Sequence, residues 1–294
     1  MKFEKNSAPI LIVLGQSNAH AHGTRLPDDE IIHTPLKNVH GLSREYNQAY
    51  GLDDVTWSGF TTGGMNLGET QDDTCALANI FAKKWQDAID GGAGLPDLYV
   101  IQISIGAQGV AQFESHNANM WCPFREPKLK PGVLGECDIS LYPLTVEILS
   151  LAYMNLMTSG KKPQVIGLHW NQWETECYTG SKALNDAKAN YENLFWGLFT
   201  ALGSDKTGKN IPFYLYRALS ENFDAGRLER INGVFDDFAK NLANCRIIDL
   251  KETELYTDEE KLHGIFLPDG IHYSPEAHRY FAERQWADLF GDKE

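Results

Sequence analysis

The segment PILIVLGQSN, residues 9–18, is an apolar run that ends in a glycine and three polar residues. Six consecutive residues without polar alternation, five of them Ile, Leu or Val in direct succession, are typical of a strand buried on both faces. Strands of this kind belong to parallel sheets that helices cover on both sides. We therefore predict a buried strand over residues 9–14, with Ser17 just beyond its carboxyl end.

Further apolar runs alternate along the chain with segments of helical period. We predict strands over residues 97–105, 164–170, 212–216 and 246–250, and helices over 74–88, 141–157, 185–202, 226–242 and after Ser274. Strands separated by such helices form βαβ units, and their right-handed crossovers place helices on both faces of the sheet. The predicted fold class is therefore α/β, a three-layer α/β/α sandwich with a mostly parallel five-stranded sheet.

Two long stretches, residues 23–71 and 108–139, show neither a helical nor a strand period. No linker divides the chain, so we expect a single domain over residues 1–294 that carries these stretches as loop insertions. Irregular segments of this length are usually functional. Each follows a predicted strand, where open α/β sheets bind their ligands, and we expect both to border the functional site.

The charge balance is acidic, with 26 Lys and Arg against 40 Asp and Glu and a net charge of −14. Nucleic acids and anionic membranes are bound by clustered basic side chains, so we expect neither as a partner. No apolar run approaches the ~20 residues that span a bilayer. These features favour a neutral partner. They do not indicate an oligomeric state.

The cysteines show neither a CxxC motif nor a Cys/His metal spacing, and their number is odd. They are Cys75, Cys122, Cys137, Cys177 and Cys245. We expect free thiols in a reducing compartment. The apolar run near the N-terminus is short for a signal peptide, and no small-residue cleavage site follows it. The expected location is cytoplasmic, with assembly into an extracellular particle or virion as the alternative.

Ser17 is the candidate nucleophile, because a serine at a strand end beside a glycine can present its hydroxyl on a rigid support. A second stretch, DGIHYSP at residues 269–275, supplies its candidate partners. His272 can take the serine proton as a general base. Asp269, three residues earlier, can bond the other ring nitrogen and stabilise the imidazolium that forms. The sequence thus predicts a Ser-His-Asp triad.

Acyl transfer also needs donors for the negative charge that develops on the carbonyl oxygen. The small residues of SIGAQG, residues 104–109, would let a backbone N–H of Gly106 or Ala107 approach a ligand. The side-chain amide of Gln172, at the end of the third predicted strand, is a further candidate. With the N–H of Ser17, these groups form the predicted oxyanion hole.

Four motifs in this order resemble the SGNH hydrolase superfamily. They are GQSN after the first strand, the small-residue turn after the second, W-x-Q-x-E after the third, and DGIH before the last helix. Within the superfamily they are similar to the carbohydrate O-acetylesterase branch, which includes sialate O-acetylesterases and acetylxylan esterases. The resemblance covers residues 10–284. It implies a flavodoxin-like fold and a serine esterase that removes acetyl groups from a sugar or polysaccharide.

The resemblance carries over by position: Ser17 is matched to the nucleophile, Gly106 or Ala107 to the backbone donor, Gln172 to the side-chain donor, and Asp269 and His272 to the acid and the base. We further expect five residues beside these positions to bind substrate: Gln16, Asn18, Gln108, Trp173 and Glu174. Two positions depart from the family pattern. Ala107 and Gln108 replace a glycine and a hydroxyl residue, and Trp173 replaces a glycine, so we expect an altered substrate pocket.

We expect no metal and no cofactor. His20 and His22 alternate just after Ser17, but no carboxylate or cysteine stands at ligand spacing beside them. Two other functions remain open. One is a lipid esterase or thioesterase of the same superfamily, and the other is a non-catalytic carbohydrate-binding module on this scaffold.

Overall fold

The computed structural model describes residues 3–44, 47, 54–69, 76–112, 119–124, 140–257 and 261–291. Within these residues seven strands form one sheet. They are β1 (Ser7–Gly15), β2 (Val39–Leu42), β3 (Trp57–Gly59), β4 (Leu98–Ser104), β5 (Lys162–Asn171), β6 (Phe213–Tyr216) and β7 (Cys245–Ile248). The strand order is β3-β2-β4-β1-β5-β6-β7. Every neighbouring pair is parallel except β2 and β3, which are antiparallel.

Helices cover both faces of the sheet. The described α-helices are α1 (Leu77–Asp90), α2 (Leu141–Thr158), α3 (Glu174–Thr179), α4 (Ser181–Ala201), α5 (Ala225–Asn241) and α6 (Pro275–Phe290). The apolar side chains of α2, α4 and α5 pack in one core, and those of α1 and α6 pack in the other. The predicted three-layer α/β/α sandwich is therefore confirmed.

Strand β1 lies at the centre, between β4 and β5, and all nine of its residues are buried. Successive side chains of a strand point to opposite faces. Ile12 accordingly belongs to the core beneath α2, α4 and α5, whereas Val13 belongs to the core beneath α1 and α6. This double burial explains why the strand reads as a continuous apolar run.

The predicted number of five strands is wrong, because β2 and β3 lie within the stretch 23–71 that the sequence left irregular. These strands have only four and three residues, VHGL and WSG, too few to show a period. They are strands because they pair: Val39 lies opposite Leu98 of β4, and Leu42 lies opposite Trp57. Of the second predicted loop, residues 113–118 and 125–139 lie outside the described residues.

The last helix begins as predicted. The Ser274 hydroxyl accepts a hydrogen bond from the Ala277 N–H at 3.2 Å, and Pro275 occupies the first helical turn, where its missing N–H costs nothing. The cap fixes the chain direction directly after His272.

Cys177 and Cys245 are free thiols, Cys122 is buried, and the other two cysteines lie outside the described residues. None of the described helices is both long enough and apolar enough to cross a membrane.

Gly15 ends β1 with a φ of 143°, and a Cβ atom there would lie 2.0 Å from the Asn171 carbonyl oxygen. We expect Gly15→Ala to lower the free energy of unfolding by more than about 3 kcal/mol, because neither backbone can move without breaking the sheet. Gly203→Ala is the matched control. Its φ is 72°, but its Cβ atom would meet open space, so only backbone strain of about 1 kcal/mol is expected. Urea denaturation of both variants measures the difference, and equal losses would contradict the steric argument.

Candidate active site

The candidate residues gather where three central strands end. In the sheet register Gly15 lies opposite both Ser104 of β4 and Asn171 of β5. The loops that follow these strands carry Ser17, Gly106 and Gln172. Because the strands are parallel, the three loops emerge at the same edge of the sheet, as predicted.

Ser17 lies in a tight turn directly after β1 and is partly exposed. Its carbonyl oxygen accepts a hydrogen bond from the His22 N–H at 2.9 Å. The carbonyl oxygen of Gly15 accepts another from the Trp121 indole at 2.9 Å. The backbone on both sides of Ser17 is thus fixed by hydrogen bonds, which gives its side chain the rigid support that a nucleophile needs.

Asn18 connects this turn to the segment that carries His272. Its side-chain oxygen accepts a hydrogen bond from the Tyr273 N–H at 3.0 Å, and its side-chain nitrogen donates to the Ile271 carbonyl at 2.9 Å. One amide therefore bridges the backbone on both sides of His272. Residues about 250 positions apart in sequence are brought together by this single side chain.

Asp269 and His272 are hydrogen-bonded. The His272 Nδ1 lies 2.7 Å from Asp269 Oδ2, and Asp269 Oδ1 accepts the backbone N–H groups of Ile271 and His272 at 2.8 and 2.9 Å. Partial burial acts to raise the pKa of Asp269, but these hydrogen bonds outweigh it, and the pKa lies below its ordinary value. The ionised carboxylate holds the proton on Nδ1, which leaves Nε2 to accept one.

Gly106 lies beside Ser17, since a Cβ atom on Gly106 would be 3.8 Å from the Ser17 Cβ. Its N–H donates to Glu69 Oε2 at 2.9 Å. A carboxylate of the chain itself therefore sits on the predicted oxyanion donor. Gln108 supports the turn, because its amide donates to the Gly106 carbonyl at 3.2 Å and accepts from the Met120 N–H at 3.3 Å.

Ala107 adopts a φ of 59°, a left-handed conformation that disfavours any residue with a Cβ atom. Glycine adopts this conformation without strain, so the turn at Ala107 is one that would suit glycine. Such strain costs about 1–3 kcal/mol and persists only where surrounding contacts hold it. The contacts of Gln108 are of this kind.

Glu174 holds the loop after β5 against the turn after β1. Its side chain is buried and accepts hydrogen bonds from the Gln16 amide, from the Asn18 amide at 2.6 Å and from the Trp173 N–H at 3.0 Å. Thr175 completes the connection by donating to the Gln16 side chain at 2.9 Å. A buried carboxylate without such donors would be costly, so these bonds fix the two loops relative to one another.

Two internal hydrogen bonds fix the side-chain amide of Gln172. Its amide nitrogen donates to Glu176, and its amide oxygen accepts from the Tyr191 hydroxyl at 2.5 Å. Glu176 also accepts the Val110 N–H at 2.7 Å. Burial raises the pKa of Glu176 to about 7, although hydrogen bonds from Val110, Gln172 and Tyr191 oppose the rise. The orientation of the Gln172 amide therefore depends on a buried carboxyl group.

The five residues expected to bind substrate are buried. Each is at most 2% exposed: Gln16, Asn18, Gln108, Trp173 and Glu174. The four polar ones form the hydrogen bonds described above, and Trp173 packs edge-on against Phe223. Direct substrate contact by these residues stays a prediction. These side chains support the loops of the site, because burial and internal pairing leave them little to offer a ligand.

Sequence reasoning missed Glu69, Glu176 and Asn66. Glu176 had a weak signal, as it lies only four residues after Gln172. Asn66 pairs with the end of β4 by accepting the Ser104 N–H at 2.8 Å and donating to its carbonyl at 2.9 Å. Asn66 positions Glu69. Because Glu69 belongs to a stretch without helical or strand period, no local pattern predicts its contact with Gly106.

His20 is buried in the turn after β1, and its Nδ1 lies 2.9 Å from the Ser104 hydroxyl. Burial, with the nearby rings of His22 and His272, lowers the pKa of His20 to about 3. The ring is therefore neutral at pH 7.

No family model matches the chain, and no curated protein matches it in sequence. Solved structures do match its fold. A protein from Arabidopsis thaliana is 14% identical with a TM-score of 0.61, over 97% of this chain and 100% of that one. The protein NanS is 15% identical with a TM-score of 0.62, over 98% of each chain. A carbohydrate acetylesterase from Xanthomonas citri is 13% identical with a TM-score of 0.51, over 94% of this chain and 54% of that one. At these identities the likeness establishes a shared fold.

Glu176 makes stability depend on pH. Its pKa is about 7 in the folded chain against an ordinary 4.5, so the folded state binds the extra proton between these values. The stability that this proton supplies is complete below pH 4.5 and is lost as the pH rises through 7. We expect the advantage of wild type over Glu176→Gln in unfolding free energy to shrink by up to about 3 kcal/mol from pH 4.5 to 8.

Urea titrations at four pH values measure this, with the exposed Glu229→Gln as control. A difference that stays constant over the whole range would mean that the three donors keep Glu176 ionised throughout.

Proposed function

We propose that the chain is a serine esterase of the SGNH hydrolase superfamily that hydrolyses O-acetyl esters on a carbohydrate. The observation that carries the proposal is the Asp269–His272 pair, which Asn18 fastens to the turn of Ser17. An oriented base beside a serine at a strand end is the arrangement that activates a hydroxyl for acyl transfer.

The first half of the reaction acylates Ser17. His272 Nε2 takes the hydroxyl proton as the oxygen attacks the ester carbonyl, and Asp269 stabilises the resulting imidazolium. The same proton then passes to the leaving sugar hydroxyl, which departs and leaves an acetylated serine. Asp269 suits this role because its pKa lies below the ordinary value, so it stays charged while His272 gains and loses a proton.

The second half returns the enzyme to its starting state. Water loses a proton to His272 and attacks the acetyl-serine, and that proton passes to the Ser17 oxygen as acetic acid leaves and ionises in solution. Negative charge develops on the carbonyl oxygen in both halves. We assign its stabilisation to the N–H groups of Ser17 and of Gly106 or Ala107, together with the second N–H of the Gln172 amide, whose first N–H donates to Glu176.

The Glu69 carboxylate must leave the Gly106 N–H before this chemistry can take place. Its carboxylate accepts the Gly106 N–H, so a substrate oxygen has to displace it from that donor. The side chain is 28% exposed and can swing away.

A carbohydrate substrate is supported by the fold shared with the Xanthomonas citri carbohydrate acetylesterase. It is also supported by the groups near Ser17, where the described side chains of His22, Glu69 and His272 are polar. Sugar hydroxyls are bound through hydrogen bonds to such groups, whereas a long acyl chain needs an apolar channel.

Ser17→Ala tests the nucleophile. We expect hydrolysis of p-nitrophenyl acetate to fall at least about 10⁴-fold, because the proposed acyl intermediate forms on the Ser17 hydroxyl. Ser150→Ala, a serine on α2 that donates to a helix carbonyl, is the control and should keep wild-type activity. Circular dichroism establishes that both variants fold. Wild-type rates in folded Ser17→Ala would refute the assignment.

Substrate class is tested by acetate release from acetylated sialic acid, xylan and mannan, alongside p-nitrophenyl acetate and octanoate. We expect acetate release from at least one glycan and faster turnover of the acetyl ester than of the octanoyl ester. Faster octanoyl turnover would instead indicate a lipid esterase or thioesterase. Glycan affinity without any turnover would indicate a binding module.

A further inference from the structure

Three metal-ligating side chains meet at the edge of the candidate active site: His20, His22 and Glu69. One ligand atom from each lies within 4.8 Å of the others. The histidines come from the turn after β1, and Glu69 comes from the segment that follows β3. The sequence places the carboxylate 47 residues beyond His22, so only the folded chain assembles this set.

His20 is oriented as a ligand would be. Its Nδ1 is hydrogen-bonded to the Ser104 hydroxyl at 2.9 Å, and its Nε2 faces Glu69 Oε2 at 3.7 Å. Metal-binding histidines commonly hold one ring nitrogen in a hydrogen bond of this kind, which fixes the direction of the other. The buried ring therefore directs Nε2 toward the carboxylate.

Glu69 is positioned from its own side. The backbone at Gly68 packs so closely on β4 that a Cβ atom there would lie 2.1 Å from the Ser104 carbonyl oxygen. The Gly106 N–H then holds one carboxylate oxygen at 2.9 Å. His22 is exposed and Glu69 partly exposed, so an ion has access from solvent.

From this geometry we propose that His20, His22 and Glu69 bind one divalent ion of the zinc class. Two imidazoles and a carboxylate are a ligand set of zinc sites that keep a fourth position open. Zinc bonds of about 2.0–2.2 Å in tetrahedral geometry separate ligand atoms by about 3.3 Å, close to the 3.7 Å between His20 and Glu69. The exposed His22 closes the remaining distance by rotation. Mg²⁺ and Ca²⁺ prefer oxygen ligands and fit this set poorly.

Zinc at this position inhibits the esterase, an inference that rests on the proposed function. The His22 and His272 rings lie 5.0 Å apart, so the ion would stand near the proposed base. Coordination also holds Glu69 beside the Gly106 N–H, where the substrate oxygen has to bind.

The binding test is isothermal titration calorimetry of the full chain with zinc chloride, after treatment with EDTA and desalting. We expect one zinc ion per chain and no measurable binding of magnesium chloride. His22→Ala and Glu69→Gln should each bind zinc at least about tenfold more weakly. His263→Ala, which removes an exposed histidine outside the proposed ligand set, is the matched control and should bind like wild type. If His22→Ala does not fold, His22→Gln replaces it.

Absence of zinc binding, or binding that His22→Ala leaves unchanged, would overturn the site. A second measurement follows p-nitrophenyl acetate hydrolysis with and without zinc, where we expect inhibition of wild type that His22→Ala relieves. Bound zinc without inhibition would overturn the inhibitory role. Because calorimetry needs no turnover, a chain that lacks esterase activity would contradict the proposed function and still leave the zinc site decided.

Discussion

The close approach of β1 and β5 at Gly15 is the constraint on which the site depends. A side chain at this position would collide with the Asn171 backbone, so only glycine lets the central strand end where it does. The Gln16 N–H then donates to the Asn171 carbonyl at 3.2 Å and starts the turn that carries Ser17. Because β1 is buried on both faces and paired on both edges, this turn has a rigid base.

Two buried carboxyl groups extend that rigidity to the neighbouring loops. Glu174 joins the loop after β5 to the turn after β1, and Glu176 joins the same loop to Val110 in the loop after β4. A buried carboxyl group is stable only when donors surround it, so each glutamate fixes the relative positions of several segments. The buried polar residues around Ser17 consequently stabilise the loops of the site and contribute little to its exposed surface.

The third connection is longer in sequence. Asn18 bonds the backbone on both sides of His272, so the segment of the proposed base is joined to the neighbour of the proposed nucleophile, Ser17. Glu69 enters from the opposite side and places its carboxylate on the Gly106 N–H. The same edge of the sheet thus brings together a proposed nucleophile, a base, an oxyanion donor and a set of metal ligands. A substrate and a zinc ion would therefore compete for the same small region of the site.

By itself, the sequence determined the layers of the fold and the parallel central strands, because burial on both faces leaves a continuous apolar run in the strands around β1. It also indicated Ser17, Asp269 and His272, since short motifs at strand ends are local. Tertiary structure alone decided the two edge strands, which are too short to show a period and exist through pairing with β4. It likewise decided the buried role of Gln16 and Glu174 and the meeting of Glu69 with Gly106 and His20, because these contacts join residues far apart in the chain.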